Sequence, residues 1–366
     1  MESMKIVFFF FRTIVLVVVW VVTFPFSIVY HAVVRMRNWM FDKGWLTSEP
    51  TPVPSVGIGN LSVGGAGKSP MAAYVIELLQ KKESVALVSR GYGRATRGNI
   101  MVQGATDSAT VGDEPAMLAR RYPRLTVMVS ERRREGVAEL MRQKMPPQKI
   151  VFDDVFQHRQ VRPTVNVLVT AYDDLFSENH MLPFGTLREP RKGYRRADII
   201  VVSKCPHNIS EEERRLIAAR LKPLPHQKVF FSYIEYLPPL SLFNGRELIQ
   251  YGAVLLVTGI ANPRPLRDTL EERGHLVDSM PFRDHHDFTE SDCLDIMERF
   301  NRLPMGNNVI ITTEKDAMRM LQPMVKELLK GLPIYYVPIR TRLLDKKGFD
   351  STLLSLLDSK FRSQDR

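Results

Sequence analysis

The stretch Val56-Gly57-Ile58-Gly59-Asn60-Leu61-Ser62-Val63-Gly64-Gly65-Ala66-Gly67-Lys68-Ser69-Pro70 decides how the rest of the chain is read. The apolar run Val53 to Ile58 has the make-up of a buried strand. A glycine-rich turn follows, and a helical pattern starts after Gly67 with Pro70 in its first turn. Strand, glycine loop and helix in that order make a phosphate cradle. Backbone N–H groups turn inward on an anion, and the new helix points its positive end at the same place. The cradle is formed by Ser62, Val63, Gly64, Gly65, Ala66, Gly67, Lys68 and Ser69. Lys68 is placed to reach the β- and γ-phosphates, and the Ser69 hydroxyl to hold Mg²⁺. Ser62 stands where the strict pattern has glycine.

With 366 residues, 44% of them hydrophobic and 25% charged, the chain has material for about two domains with proper cores. A formal net charge of +11 points to an anionic partner: nucleic acid, an acidic membrane face or a phosphorylated substrate. Cys205 and Cys293 are too few for a disulfide framework or a four-ligand zinc site and fit a reducing compartment. The N-terminus differs in kind. Thr13 to Tyr30 carries no charge, and only Arg12 separates it from the apolar Ile6 to Phe11. Such a segment is long enough to cross a bilayer, or to lie obliquely in one leaflet with Arg12 snorkelling and Pro25 bending the helix. Lys5 and Arg12 precede it and Arg35 and Arg37 follow, so the charge count leaves orientation open.

From Val53 to about Ser203, apolar runs at Val85–Val88, Leu125–Val129, Ile150–Phe152, Val165–Val169 and Ile199–Val202 alternate with helical stretches. That alternation predicts a parallel, doubly wound sheet with its site at the C-terminal strand ends. Pro223, Pro225, Pro238 and Pro239 then frame an extended linker, Lys228–Tyr236. A second alternation from Ala253 to Val337 predicts a smaller α/β lobe, with Thr289 capping the helix from Glu290. Two lobes on a linker make a cleft that closes on substrate.

Several strand ends carry chemistry. Asp153 and Asp154 leave the strand Ile150–Phe152, where a phosphate-loop enzyme holds Mg²⁺; a solvated acid pair or a helix cap is the plain alternative. Asp113, in Gly112-Asp113-Glu114-Pro115, reads equally as the cap of the helix that follows. The stretch Leu182 to Arg196 is a rigid basic loop, either a solvated surface or an anion-binding rim. Asp284-His285-His286-Asp287 suits a cap or a pH-tuned catalytic partner better than a metal site. Thr312-Thr313-Glu314-Lys315-Asp316-Ala317 leaves another strand end towards the cleft.

Taken in order, GNLSVGGAGKSP, VSRGYGR, GDEPAMLA, DDVFQHR, LPFGTLREP, DHHDF and TTEKDA resemble the membrane-bound tetraacyldisaccharide 4'-kinase family of lipid A synthesis. The resemblance covers about Val53 to Asp316, with Val155 where a small residue is expected and Ser69 where threonine is usual. It implies a P-loop NTPase-like α/β fold, a doubly wound parallel sheet with a second, smaller α/β lobe and an N-terminal membrane helix. The implied division is 1–38 membrane anchor, 39–237 P-loop kinase core, 238–345 smaller lobe and 346–366 C-terminal helix. The implied reaction moves the γ-phosphate of ATP, with Mg²⁺, to the 4'-hydroxyl of a tetraacylated glucosamine disaccharide 1-phosphate, giving lipid IVA. Lys68 would be catalytic, with Asp113 as the base and His285 as its partner. Ser69, Asp153 and Asp154 would serve the metal, and Glu114, Arg188 and Glu189 the substrate. The expected setting is the cytoplasmic membrane with both lobes in the cytoplasm, a glycolipid and the membrane surface as partners, and neither nucleic acid nor an obligate protein partner.

Overall fold

The protein is described from a computed structural model, which covers residues 25–102, 106–304 and 306–364. Among these residues there are a nine-stranded and a five-stranded sheet, plus a two-stranded pair at the edge of the larger lobe. The large sheet takes β1 (Ser55–Gly59), β2 (Val85–Ser89), β3 (Ile100–Val102), β4 (Thr126–Val129), β5 (Lys149–Phe152), β6 (Val165–Ala171), β7 (Ile199–Ser203) and β8 (Lys228–Tyr236). The small sheet takes β9 (Leu240–Ser241), β10 (Val254–Thr258), β11 (Val277–Pro281), β12 (Val309–Thr313) and β13 (Ile334–Val337). The chain then returns to the large sheet as β14 (Ile339–Leu343).

The large sheet runs β14-β8-β7-β6-β1-β5-β2-β4-β3 and the small one β9-β13-β12-β10-β11. Only the edge pairs β8–β14 and β4–β3 of the large sheet are antiparallel. Strand β1 is fully buried between β5 and β6, as an apolar strand with helices on both faces must be. Its position puts the glycine loop at the centre of the C-terminal edge of the sheet.

Two readings change here. Lys228–Tyr236 is no linker but β8, pairing with β7 and with β14. Its prolines lie outside the paired residues, so they bound the strand rather than break it. The smaller lobe accordingly ends at β13, ahead of residue 345. Helix α6, reserved for Lys346–Gln364, buries Phe349, Leu353 and Leu357 in the core shared with Val167 and Phe230 of the large sheet.

The other helices that position the site are α1 (25–42), α2 (Lys68–Leu79), α3 (Asp113–Arg121), α4 (Glu290–Asn301) and α5 (Glu314–Met320). One apolar cluster runs through both lobes, joining Val111 and Leu118 to Val257, Ile310 and Met318. The sequence-predicted membrane segment lies mostly in residues 1–24, outside the described residues. Among the described residues no helix is long and apolar enough to cross a membrane.

Candidate active site

The site begins with two glycines inside β1. A Cβ on Gly57 would sit 2.8 Å from Val155, and one on Gly59 would sit 2.6 Å from Phe156, below any tolerable contact. Glycine at both places lets the turn after β5 lie flat against the phosphate-loop strand, and the Val155 N–H donates to Ile58 O at 3.1 Å. The bulk of Val155 is thus absorbed by Gly57, and both aspartates are pinned beside the loop.

The loop is held on three sides. Val63 N–H donates to Thr186 O at 2.7 Å, Arg188 N–H to Leu61 O at 2.7 Å, and Ser203 Oγ to Ala66 O at 2.6 Å. Gly64 and Gly67 take left-handed φ values of 92° and 85°, which turn the loop back into α2 at Lys68. Nothing lies within 4 Å of a Cβ built on Gly64, and at Gly65 only Lys204 Nζ does, at 3.7 Å. This is an open cradle of backbone with lysines at its rim, suited to a polyphosphate.

Adjacent Asp153 and Asp154 have opposite fates. Asp154, at a left-handed φ of 48°, takes Arg188 in a two-pronged pair at 2.7 and 3.0 Å, with Lys68 Nζ 3.6 Å away. Burial opposes its charge, but Arg188 and Lys68 outweigh it and draw the pKa down to about 2. Asp153 is buried with Oδ1 unpartnered. Burial, then Glu114 and Asp154, push its pKa up to about 8. An orphaned carboxylate oxygen among negative neighbours is what a divalent cation relieves. Asp153, Glu114 and the nearby Ser69 hydroxyl offer the hard oxygen atoms that Mg²⁺ takes. Among the described residues no cluster of three or more His, Cys, Asp or Glu side chains forms a metal site by itself, so nucleotide oxygens and water would complete the shell.

Asp113 does not cap its helix. Gly112 is the N-cap of α3 and makes no side-chain cap bond, while Asp113 points across the cleft. Its Oδ2 lies 3.2 Å from His285 Nδ1 and accepts from Arg319 Nε at 2.9 Å, with Nη2 of the same guanidinium 2.8 Å away. His285 is not a cap either: Thr289 caps α4 in a reciprocal pair with Asp292. A left-handed φ of 57° aims the imidazole at Asp113, and Tyr92 lies against its ring. Burial opposes the charge of Asp113, but His285 and Arg319 hold its pKa below the ordinary carboxylate range. The bond to Asp113 in turn raises that of His285.

Glu114, the next residue, joins this pair to the phosphate loop. Its carboxylate accepts from the Lys315 ammonium of the small lobe and lies close enough to Ser69 and Lys68 for both to favour its charge. Lys68, Ser69, Asp153, Asp154, Asp113, Glu114 and His285 therefore form one continuous site. Arg188 joins it through Asp154 and Asn60. Glu189 turns away. It is buried, with its oxygens taken by Arg196 at 2.8 Å, Gln157 at 2.9 Å and Asn38 at 3.2 Å. That carboxylate is spent on fixing the loop to α1, which leaves it no oxygen free for a substrate.

Sequence reasoning missed Arg319 and Lys204. Arg319 is 2% exposed and binds Asp113, Asp316 at 3.0 Å and the His286 carbonyl at 3.1 Å. Its signal was the i, i+3 spacing from Asp316 on a helix starting at a strand end.

The chain matches the family described as tetraacyldisaccharide-1-P 4'-kinase over residues 19–358. It belongs to that family. The tetraacyldisaccharide 4'-kinase of Flavobacterium johnsoniae is 37% identical over 342 residues, covering 92% of this chain and 96% of its own. That of Bacteroides thetaiotaomicron is 39% identical, with 88% and 89% covered. Among solved structures, LpxK from Aquifex aeolicus in complex with ATP is 26% identical with a TM-score of 0.71, covering 91% of this chain and 98% of that one.

Proposed function

We infer that this protein transfers the γ-phosphate of ATP to the 4'-hydroxyl of tetraacyldisaccharide 1-phosphate, making the 1,4'-bisphosphate of lipid A biosynthesis. Family membership supports the reaction, and one observation ties it to this chain: Glu114 lies beside Ser69 and Lys68 of the cradle while its neighbour Asp113 faces His285. Phosphate site and base are thus one residue apart.

Phosphoryl transfer asks for positioning and charge stabilisation more than covalent chemistry. The cradle and Lys68 hold the triphosphate. Asp113 accepts the proton of the 4'-hydroxyl, whose oxygen forms the new bond to Pγ. The bond from Pγ to the β,γ-bridging oxygen breaks, and ADP leaves with that electron pair. Oδ2 of Asp113 is engaged by His285 and Arg319, so Oδ1 is the side left for the proton. His285 orients the carboxylate and spreads the charge that forms beside it. Mg²⁺ held by Ser69, Asp153 and Glu114 would neutralise charge on the transferring phosphate.

The lipid acceptor calls for a membrane surface. Helix α1 turns Phe26, Val29, Val33 and Met36 to the outside, and Trp39 packs edge-on against Trp45. A stripe at this spacing suits the headgroup–acyl boundary, and with residues 1–24 it would place both lobes at the cytoplasmic face, where ATP is. Incubation of purified protein with labelled ATP and the disaccharide monophosphate should give labelled bisphosphate. ATP turnover that ignores the glycolipid would overturn the reading.

A further inference from the structure

The segment Thr312 to Ala317 faces the cleft, yet most of it serves its own lobe. Thr313 caps α5, and Asp316 is buried against Thr313 at 2.7 Å, Gly259 N–H at 3.0 Å and Arg319. Glu314 is buried beside Arg121 at 3.4 Å and supports the lobe contact. Lys315 does something else. Its ammonium leaves the small lobe and pairs with Glu114, the carboxylate beside Ser69 and Lys68 of the cradle. Asp153 and Asp113 are near enough to act on the same charge.

Two other lysines come to this place from separate elements. Lys68 opens α2. Lys204, at a left-handed φ of 58° just past β7, brings Nζ over Gly65. Lys204 lies in the field of Asp173, which favours its charge, and within reach of Lys315, which opposes it. Lys68 beside Asp154 and Lys315 on Glu114 are each partly compensated by a carboxylate, and a polyanion entering the cradle would share all three ammonium groups at once. The anion that fits a glycine loop is a polyphosphate, and each lysine meets a different part of it according to where it enters. Lys204 enters over the loop itself. Lys315 enters from the acceptor side, where Asp113 lies.

We propose that Lys315 is the small lobe's ligand for the terminal phosphoryl group of the nucleotide, reading the group that distinguishes ATP from ADP. This rests on the reading of the cradle as the ATP site. The ammonium exchanges Glu114 for oxygens of the γ-phosphate, freeing that carboxylate and tying the small lobe to the loaded large lobe. After transfer, ADP offers it no such partner and the tie is lost.

Equilibrium binding of MgATP and MgADP, without lipid, tests this in the full chain. Lys315→Gln is the informative variant, because an amide still donates to Glu114 and so preserves a purely structural link. It should bind MgADP like the wild type and lose roughly 10–100-fold in MgATP affinity, the worth of a hydrogen bond to a charged group. Lys315→Arg should keep much of the ATP preference. Lys204→Met should weaken both nucleotides alike. Equal weakening of ATP and ADP in Lys315→Gln, or no change in either, would overturn the assignment. Lys68→Ala is the separate control: if it binds both nucleotides normally, the cradle reading itself fails, whatever Lys315 does.

Discussion

The two sides of the cleft secure their charges in different ways. On the nucleotide side, Lys68, Asn60, Asp154 and Arg188 bond one another within the large lobe. On the acceptor side, Asp113 belongs to the large lobe, but both groups that hold it, His285 and Arg319, belong to the small one. The loop and its flanking charges are therefore held within one lobe, with Lys315 the small lobe's contribution beside them, while the carboxylate of Asp113 is held only where the lobes meet.

The largest effect should come from Asp113. Asp113→Ala is expected to lower kcat by roughly 10²–10⁴, the worth of a general base. His285→Ala should fall in the same class, and the double variant should be little worse than the poorer single. Rate losses that simply multiply would separate the two residues. The comparison is sharpened by MgATP affinity, which His285→Ala should leave unchanged; a parallel loss would mean that the two sides are not independent.

Arg319→Met attacks the meeting point itself. Removing one partner of a buried ionic cluster costs about 3–5 kcal/mol, because Asp113 and Asp316 are left charged and uncompensated. Thermal melting should show it, and a melting temperature within a degree of wild type would deny Arg319 that role. On the other side, Lys68→Ala should lower kcat by about 10²–10³ with little loss of fold. Wild-type turnover in that variant would exclude this loop as the catalytic site.

The smallest effect is a pH window. Asp113, with its pKa lowered, contributes stability that is present above the unfolded value and lost as pH falls through the lowered one. His285, with its pKa raised, contributes below the unfolded value and loses its part as pH rises through the raised one. The lobe contact should therefore be strongest between the carboxylate range and about pH 6.5. Melting temperatures across pH should show an alkaline decline that His285→Ala flattens. An unchanged decline would assign it to other groups.

Much of this was legible in the sequence. The glycine loop and the short apolar runs sufficed for the sheet, because a parallel strand buried on both faces cannot hide its composition. The seven ordered motifs marked the strand ends that converge on the cleft. Other parts left no local trace. Lys228–Tyr236 looked like a linker because its prolines lie at its edges, and its pairing partner Ile339–Leu343 is more than a hundred residues away. Asp153 and Asp154 are alike as letters, and only the reach of Arg188 from a distant loop separates the paired one from the orphan. Glu189 appeared as a rim residue, since nothing in its neighbourhood announces that α1 will bury it.

That burial changes what a truncation would do. Tyr30 donates to Arg188 O at 2.8 Å, Asn38 reaches Glu189, and Arg37 reaches Gln157 O at 3.0 Å. The same loop supplies Thr186 to the backbone of the cradle and Arg188 to Asp154. Helix α1 is thus a splint for the nucleotide pocket as well as an outward face. A version shortened into α1 to ease purification would report a slackened pocket, and its nucleotide affinity would understate that of the intact enzyme. A cut that leaves residues 25–42 in place removes the apolar leader and keeps the splint.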